Sequence, residues 1–181
     1  MNYYGGKELA ASARTVRKNT IQTAEDIPED KYGFRPTPDT RTVAETLVHI
    51  AVGGDFQEEI HIKQKLSNLA GFDFPAVFQR AAAEEKKPRT KAEIIALLRT
   101  TGEKWAKWFE GVDDGFLGET VTMPPGGSPA SRTRFDMLLA LKEHEMHHRA
   151  QLMLVQRMLG ITPHLTRERQ TRMAAATAQK S

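Results

Sequence analysis

The stretch TRFDMLLALKEHEMHHRAQLMLVQRMLG, Thr133 to Gly160, decides the fold. Leu138, Leu141, His148, Leu152, Val155 and Leu159 recur along it at heptad-like spacing, the pattern of one long amphipathic helix with a buried stripe. Gly160 ends that helix and Pro163 lies just beyond. Three other segments carry the same periodicity, while the strict alternation of a strand is hardly seen. One runs from about Lys7 to Ala24, with Leu9, Ala13, Val16, Thr20 and Ala24 on a single stripe before Pro28 stops it. A second begins at Thr42, whose partner Glu45 completes a T-x-x-E capping box. It places Val43, Leu47, Ile50, Phe56 and Ile60 on one broad face and is expected to end before Gly71. The third opens with the capping box of Thr90 and Glu93, sets Ile94, Leu98, Trp105 and Trp108 along one side as core, and closes at Gly111.

Four such helices, each some 27 to 42 Å long at about 1.5 Å per residue, bury their stripes together only as a bundle, so the expected class is all-α, a four-helix bundle. Two connections, IPEDKYGFRPTPDTR and VDDGFLGETVTMPPGGSPAS, are longer than bundle turns need. The segment VTMPPGGSPASR within the second is read equally as part of a lid over a site or as an ordinary surface connection.

The chain has 181 residues and a formal charge of +3, which suits one domain of ordinary size. The charge is local. Residues 166–181 hold Arg167, Arg169, Arg172 and Lys180 against the single acid Glu168, so the rest of the chain is balanced, which argues against a nucleic-acid partner. Residues 1–165 are therefore assigned to the bundle and 166–181 to a basic tail, either a short helix or disordered. There is no cysteine, which excludes disulfides and any thiol nucleophile belonging to the protein. No run approaches the roughly 18 apolar residues of a membrane span, and the N-terminus lacks the apolar core of a signal peptide. A cytoplasmic location with no membrane partner is expected.

Three of the six histidines fall between His144 and His148 in the segment HEMHHRAQ. Residues four apart on a helix are separated by about 40° around the axis, so His144 and His148 share a face one turn apart. That face continues into Leu141, Leu152 and Val155 and points into the bundle, where bare imidazoles need partners. His49 lies beside the buried stripe of the second helix, four residues before Gly53 and Gly54, whose missing side chains leave room for an ion. His61, about 120° further round that helix, is expected to face solvent. His147 is placed at the rim, and His164, after Pro163, outside the bundle. His144, Glu145 and His148 also satisfy H-E-x-x-H, the zinc-protease signature. The extended form of that signature requires glycine and histidine where this chain has Gln151 and Leu154. Glu168 as an alternative ligand sits in the tail, and no strands are available to hold an extended peptide, so the protease reading is set aside.

FRPTPDTRTVAETLVHI, Phe34 to Ile50, and HEMHHRAQLMLVQRMLGI, His144 to Ile161, together resemble the DinB-like family of metal-binding four-helix bundles, which includes the bacillithiol and mycothiol S-transferases. The likeness extends over most of residues 7–162. Ala150 stands where the family often has glycine, and the basic tail has no counterpart. The resemblance implies a metal site of His49, His144 and His148, with zinc, nickel or iron as the ion and open positions for water or substrate. It also implies a homodimer. Arg149 and Gln151 belong to the matched segment; each is read either as a contact to substrate or as structural, Arg149 in a helix-packing salt bridge and Gln151 in a hydrogen bond to a neighbouring loop. Glu145 is a candidate to orient a ligand or act as a base, or else a surface charge.

Two enzyme classes follow for a small-molecule substrate. In one, the metal binds a low-molecular-weight thiol as its thiolate, which attacks an electrophilic carbon in S-transfer or thiol-dependent isomerisation. In the other, activated water attacks an ester or amide, with Glu145 as base. The third class is a non-enzymatic metal-binding or stress-response protein.

Overall fold

The computed structural model describes residues 4–178. Helix α1 spans Gly6–Asp26 and buries Leu9, Ala10, Val16, Thr20 and Ala24, the stripe expected from the sequence with Ala10 in place of Ala13. Helix α2 spans Val43–Val52. Its cap is the one the T-x-x-E pattern specifies: the Thr42 hydroxyl accepts from Glu45 N at 3.1 Å, and Thr42 N donates to the Glu45 carboxylate at 2.7 Å.

The second helix does not continue to Gly71. It breaks at Gly53 and Gly54, resumes as a short α3 (Asp55–Glu58), and widens into a π-helical turn over Glu59–Lys63. The break has a packing cause. A Cβ on Gly54 would lie 2.2 Å from the indole nitrogen of Trp105, and one on Gly53 would lie 2.9 Å from Cε1 of His144, so two rings press directly on bare backbone.

Helix α4 (Phe74–Glu85) was not legible as a bundle member, because Val77 is its single buried residue. Asp73 caps it by accepting from Ala76 N at 2.9 Å, and Pro75 sits in its first turn. Helix α5 (Lys91–Glu110) starts at the second capping box and buries Ile94, Leu98, Trp105, Ala106 and Phe109. After a one-turn α6 (Asp114–Gly118), strands β1 (Thr120–Thr122) and β2 (Ser131–Thr133) pair antiparallel, with Val121 opposite Arg132. The long connection is thus a small hairpin. Thr133 then caps α7 (Arg134–Met158), and Gly160 closes it with φ 77°, a left-handed conformation that glycine adopts without strain.

The bundle consists of α1, α2, α5 and α7: α1 packs on α5 and α7, and α2 on α5, α4 and α7. Leu47, Leu98 and Leu152 meet at one end of the core, all at most 1% exposed, so truncating any of them to alanine costs about 2–5 kcal/mol. Leu9, Trp105, Phe109 and Leu138 fill the other end. Helix α8 (His164–Ala178) covers most of the basic segment and is exposed from Arg167 onward. Lys180 lies outside the described residues.

Candidate metal centre

His49 sits in the last turns of α2, ahead of the glycine break, while His144 and His148 sit one turn apart in the middle of α7. The helix contact brings the three rings together, with centroids 4.8 Å apart for His49 and His144, 4.6 Å for His49 and His148, and 4.6 Å for His144 and His148. One ligand-capable nitrogen from each lies within 4.8 Å of the others, and Nε2 of His49 is 2.9 Å from Nε2 of His144. Two nitrogens that each lie about 2.0–2.1 Å from a shared ion are themselves about 2.9 Å apart at a right angle and about 3.3 Å apart at a tetrahedral one.

Contacts at the outer nitrogens set the tautomers of His49 and His148. Nδ1 of His49 is 2.7 Å from Oε1 of Glu85, and a carboxylate only accepts, so Nδ1 carries the hydrogen and Nε2 turns its lone pair inward. Nδ1 of His148 donates to the Gln151 carbonyl at 2.8 Å, with the same effect. The Gln151 amide in turn donates to His147 at 3.1 Å. Glu85 is also held by Arg41, whose Nε lies 2.6 Å from Oε2. Burial lowers the proton affinity of all three rings: His49 and His148 fall below the ordinary imidazole value, and His144 falls to about 4, with its histidine neighbours adding to the effect. Three neutral imidazoles, those of His49 and His148 with Nε2 lone pairs turned inward, suit a borderline divalent ion such as zinc, nickel or iron.

The other candidate residues are placed differently. His61, expected at the surface, is 1% exposed, because the glycine break and the π-turn rotate it away from the direction a continuous α-helix would give. It donates from Nε2 to Gln57 at 2.8 Å and accepts at Nδ1 from Arg134 at 2.8 Å, in a buried cluster completed by the ion pair of Arg134 with Glu119. His164 is also buried, not outside the bundle, with Nε2 3.5 Å from Asn19 on α1. His147 is exposed at the rim. Glu145 is not a surface charge: it is 8% exposed and accepts from Nε of Arg17 at 2.9 and 3.1 Å. That bond draws its carboxylate toward α1. Arg149 donates to the Val16 carbonyl at 3.3 Å and so packs α7 on α1, with no salt bridge among the described residues. Gln151 bonds within α7 rather than to a loop, and Glu168 is exposed on α8.

Besides a small hollow of about 40 Å³ walled by Gly53, His144 and Glu145 among others, two larger ones reach the triad with different histidines in their walls. A cavity of about 280 Å³ between α2, α4 and α7 has His49 and His144 in its wall. A cleft of about 650 Å³ has His148, Glu85 and Gln151, together with Arg35 and Arg41 from the first long connection. Arg132 of the hairpin reaches the wall of the cavity, which is as far as that segment covers the site. Sequence reasoning missed Glu85, because nothing in the pattern of α4 ties it to α2, and it missed Asp55, which lines the cavity beside His49. Burial and the neighbouring Glu58 raise the Asp55 carboxyl above its ordinary value.

The family model of the DinB superfamily matches residues 13–152. Two solved structures from Bacillus subtilis share the fold. One is the DinB-like protein YjoA, 21% identical, covering 86% of this chain and 94% of that one with a TM-score of 0.62. The other is YfiT, described as a probable metal-dependent hydrolase with an unusual four-helix bundle topology; it is 16% identical, covering 90% of this chain and 91% of that one with a TM-score of 0.66. No curated protein matches. At such identities the structural likeness carries the fold, and the chemistry rests on the residues.

Proposed function

We propose that this chain, which belongs to the DinB superfamily, binds a divalent transition metal through His49, His144 and His148 and uses it to activate a low-molecular-weight thiol for transfer to an electrophilic carbon. The ion supplies the positive charge that keeps a thiol of pKa near 8.5 as its thiolate at neutral pH. The chain's own residues do the rest. Glu85 and Gln151 hold His49 and His148 in the binding tautomer. Arg35 and Arg41 line the cleft on the His148 side, and charged groups on a thiol would find partners there.

The observation that carries this reading is the pair of larger hollows that reach the triad with no lining residue in common, which suits two substrates meeting there. The chemistry of the neighbouring carboxylates points the same way. Glu145 is engaged by Arg17, and Glu85 by His49 and Arg41, so both carboxylates are already committed to positioning contacts. A thiol needs far less help than water to ionise.

A second reading, hydrolysis, is favoured by the description of YfiT and by Asp55, whose raised carboxyl pKa in the wall of the cavity suits a general base. One experiment separates them: zinc- or nickel-loaded protein is incubated with a panel of thiols and an aryl halide, and in parallel with an activated ester and no thiol. The account expects thiol-dependent halide release that is lost in His148→Ala. Ester turnover without thiol, reduced in Asp55→Asn, would replace it with the hydrolase.

A further inference from the structure

The hollow on the His49 and His144 side differs in chemistry from the one on the His148 side. Beyond the two imidazoles, its wall is built from Val52, Phe56, Val77, Phe78, Ala81 and Ala140. Phe78 is 55% exposed, yet its ring lies 6.4 Å from Phe56 and 6.1 Å from Phe74, so an aromatic group stands at the mouth of the cavity with one side open to solvent. Only Asp55 and Arg132 bring charge to this lining, and Arg132 is already bound to Asp136 at 2.5 Å. The cleft on the His148 side brings Arg35, Asp39, Arg41, Glu45, Glu85 and Lys86 to its lining beside apolar residues such as Leu152 and Val155, and the two hollows share no lining residue. The triad histidines are thus divided between an apolar chamber and a cleft of mixed lining that carries six charged residues.

We infer that the chamber between α2, α4 and α7 is the specificity pocket for the carbon body of the second substrate, an aryl or medium-length alkyl group whose reactive end meets the metal. This rests on the metal reading above and adds the substrate class. Size sets the limit. A dry cavity of about 150 Å³ accepts benzene, so about 280 Å³ takes a bicyclic aromatic or a chain of roughly eight carbons, and it is too small for a peptide strand. The wall is mostly apolar, so a ligand of that kind desolvates few polar groups, and the half-exposed ring of Phe78 gains cover when the chamber fills. A small charged metabolite would leave most of that wall unsatisfied.

The test uses hydroxamates, which chelate zinc through a constant head group and carry tails of chosen length. Calorimetric affinities for zinc-loaded protein are measured from acetohydroxamate to a ten-carbon chain, with a naphthyl hydroxamate as the aromatic arm. Affinity is expected to rise about two- to fourfold per methylene until roughly eight carbons and then to level off. Ala140→Phe, checked to retain one zinc per chain, flattens that series. Phe78→Ala, at an exposed position that does not threaten folding, weakens the naphthyl ligand by about fivefold. Tail-independent affinity in the wild type, or an undiminished slope in Ala140→Phe, overturns the assignment. If no zinc binds, the metal reading fails first, and a metal-free arm decides the pocket separately: methyl resonances of Val52, Val77 and Leu141 shift on titration with naphthalene, and unmoved methyls remove the pocket whatever the metal does.

Discussion

Replacing Glu85 with glutamine tests whether the residues around the triad were built for a cation. The Glu85 side chain is 9% exposed and holds two charge-assisted contacts, 2.7 Å to Nδ1 of His49 and 2.6 Å to Nε of Arg41. The amide keeps the volume and an acceptor oxygen but removes the negative charge that makes Nε2 of His49 a better donor. Losing an outer carboxylate of this kind weakens metal binding about 10- to 100-fold, or roughly 1.4 to 2.7 kcal/mol. Arg41→Ala carries the opposite sign. The Arg41 charge lowers the proton affinity of all three histidines, so removing it strengthens binding, by about two- to fivefold because the guanidinium is 43% exposed and screened by solvent. Competition titration against a chromophoric zinc chelator at pH 7 measures both, with thermal melts of the metal-free proteins confirming that each variant folds. Zinc affinity of Glu85→Gln within twofold of wild type, or weaker binding in Arg41→Ala, would refute the reasoning.

Further outcomes follow from other contacts. Gly53→Ala and Gly54→Ala part company: the first pushes on the edge of His144 and is expected to weaken metal binding more than stability, whereas the second collides with the indole of Trp105 and costs about 1–3 kcal/mol in chemical denaturation. Arg17→Met leaves the buried Glu145 charge without its partner and costs about 3–5 kcal/mol, while Arg17→Met with Glu145→Met recovers most of that; metal content stays at wild-type level in the double variant, and its loss there would return Glu145 to the site. Burial, then Arg134, lowers the His61 pKa to about 4, so the unfolded chain takes up this proton first. The stability His61 provides is therefore full above about pH 6.5 and declines toward pH 4, at about 1.4 kcal/mol per pH unit between these limits. His61→Gln should show a shallower decline over pH 5–6.5, and parallel curves would contradict it.

Much of the fold was legible because it rests on local rules. Both T-x-x-E boxes cap their helices, and Gly160 ends α7 where the periodicity stops. Four-residue spacing on α7 fixes the shared face of His144 and His148, whereas His49 was joined to them by its place beside the buried stripe and by the family resemblance; the three rings lie together. What was not legible depends on tertiary contact. The glycine pair read as room for an ion is where the helix gives way under Trp105 and His144, and that break sends His61 inward. Helix α4 buries so little that its periodicity is weak, so Glu85 could not be connected with His49. Glu145 had three open readings from sequence, and its partner Arg17, 128 residues away, lay outside them all.

Anomalous scattering at the zinc edge from crystals grown with the metal tests the central claim most directly. A single strong peak per chain is expected about 2.0–2.1 Å from one ring nitrogen each of His49, His144 and His148. A triad with no peak between its rings, or a zinc ion held by other residues while these three stay hydrogen-bonded to one another, would contradict it.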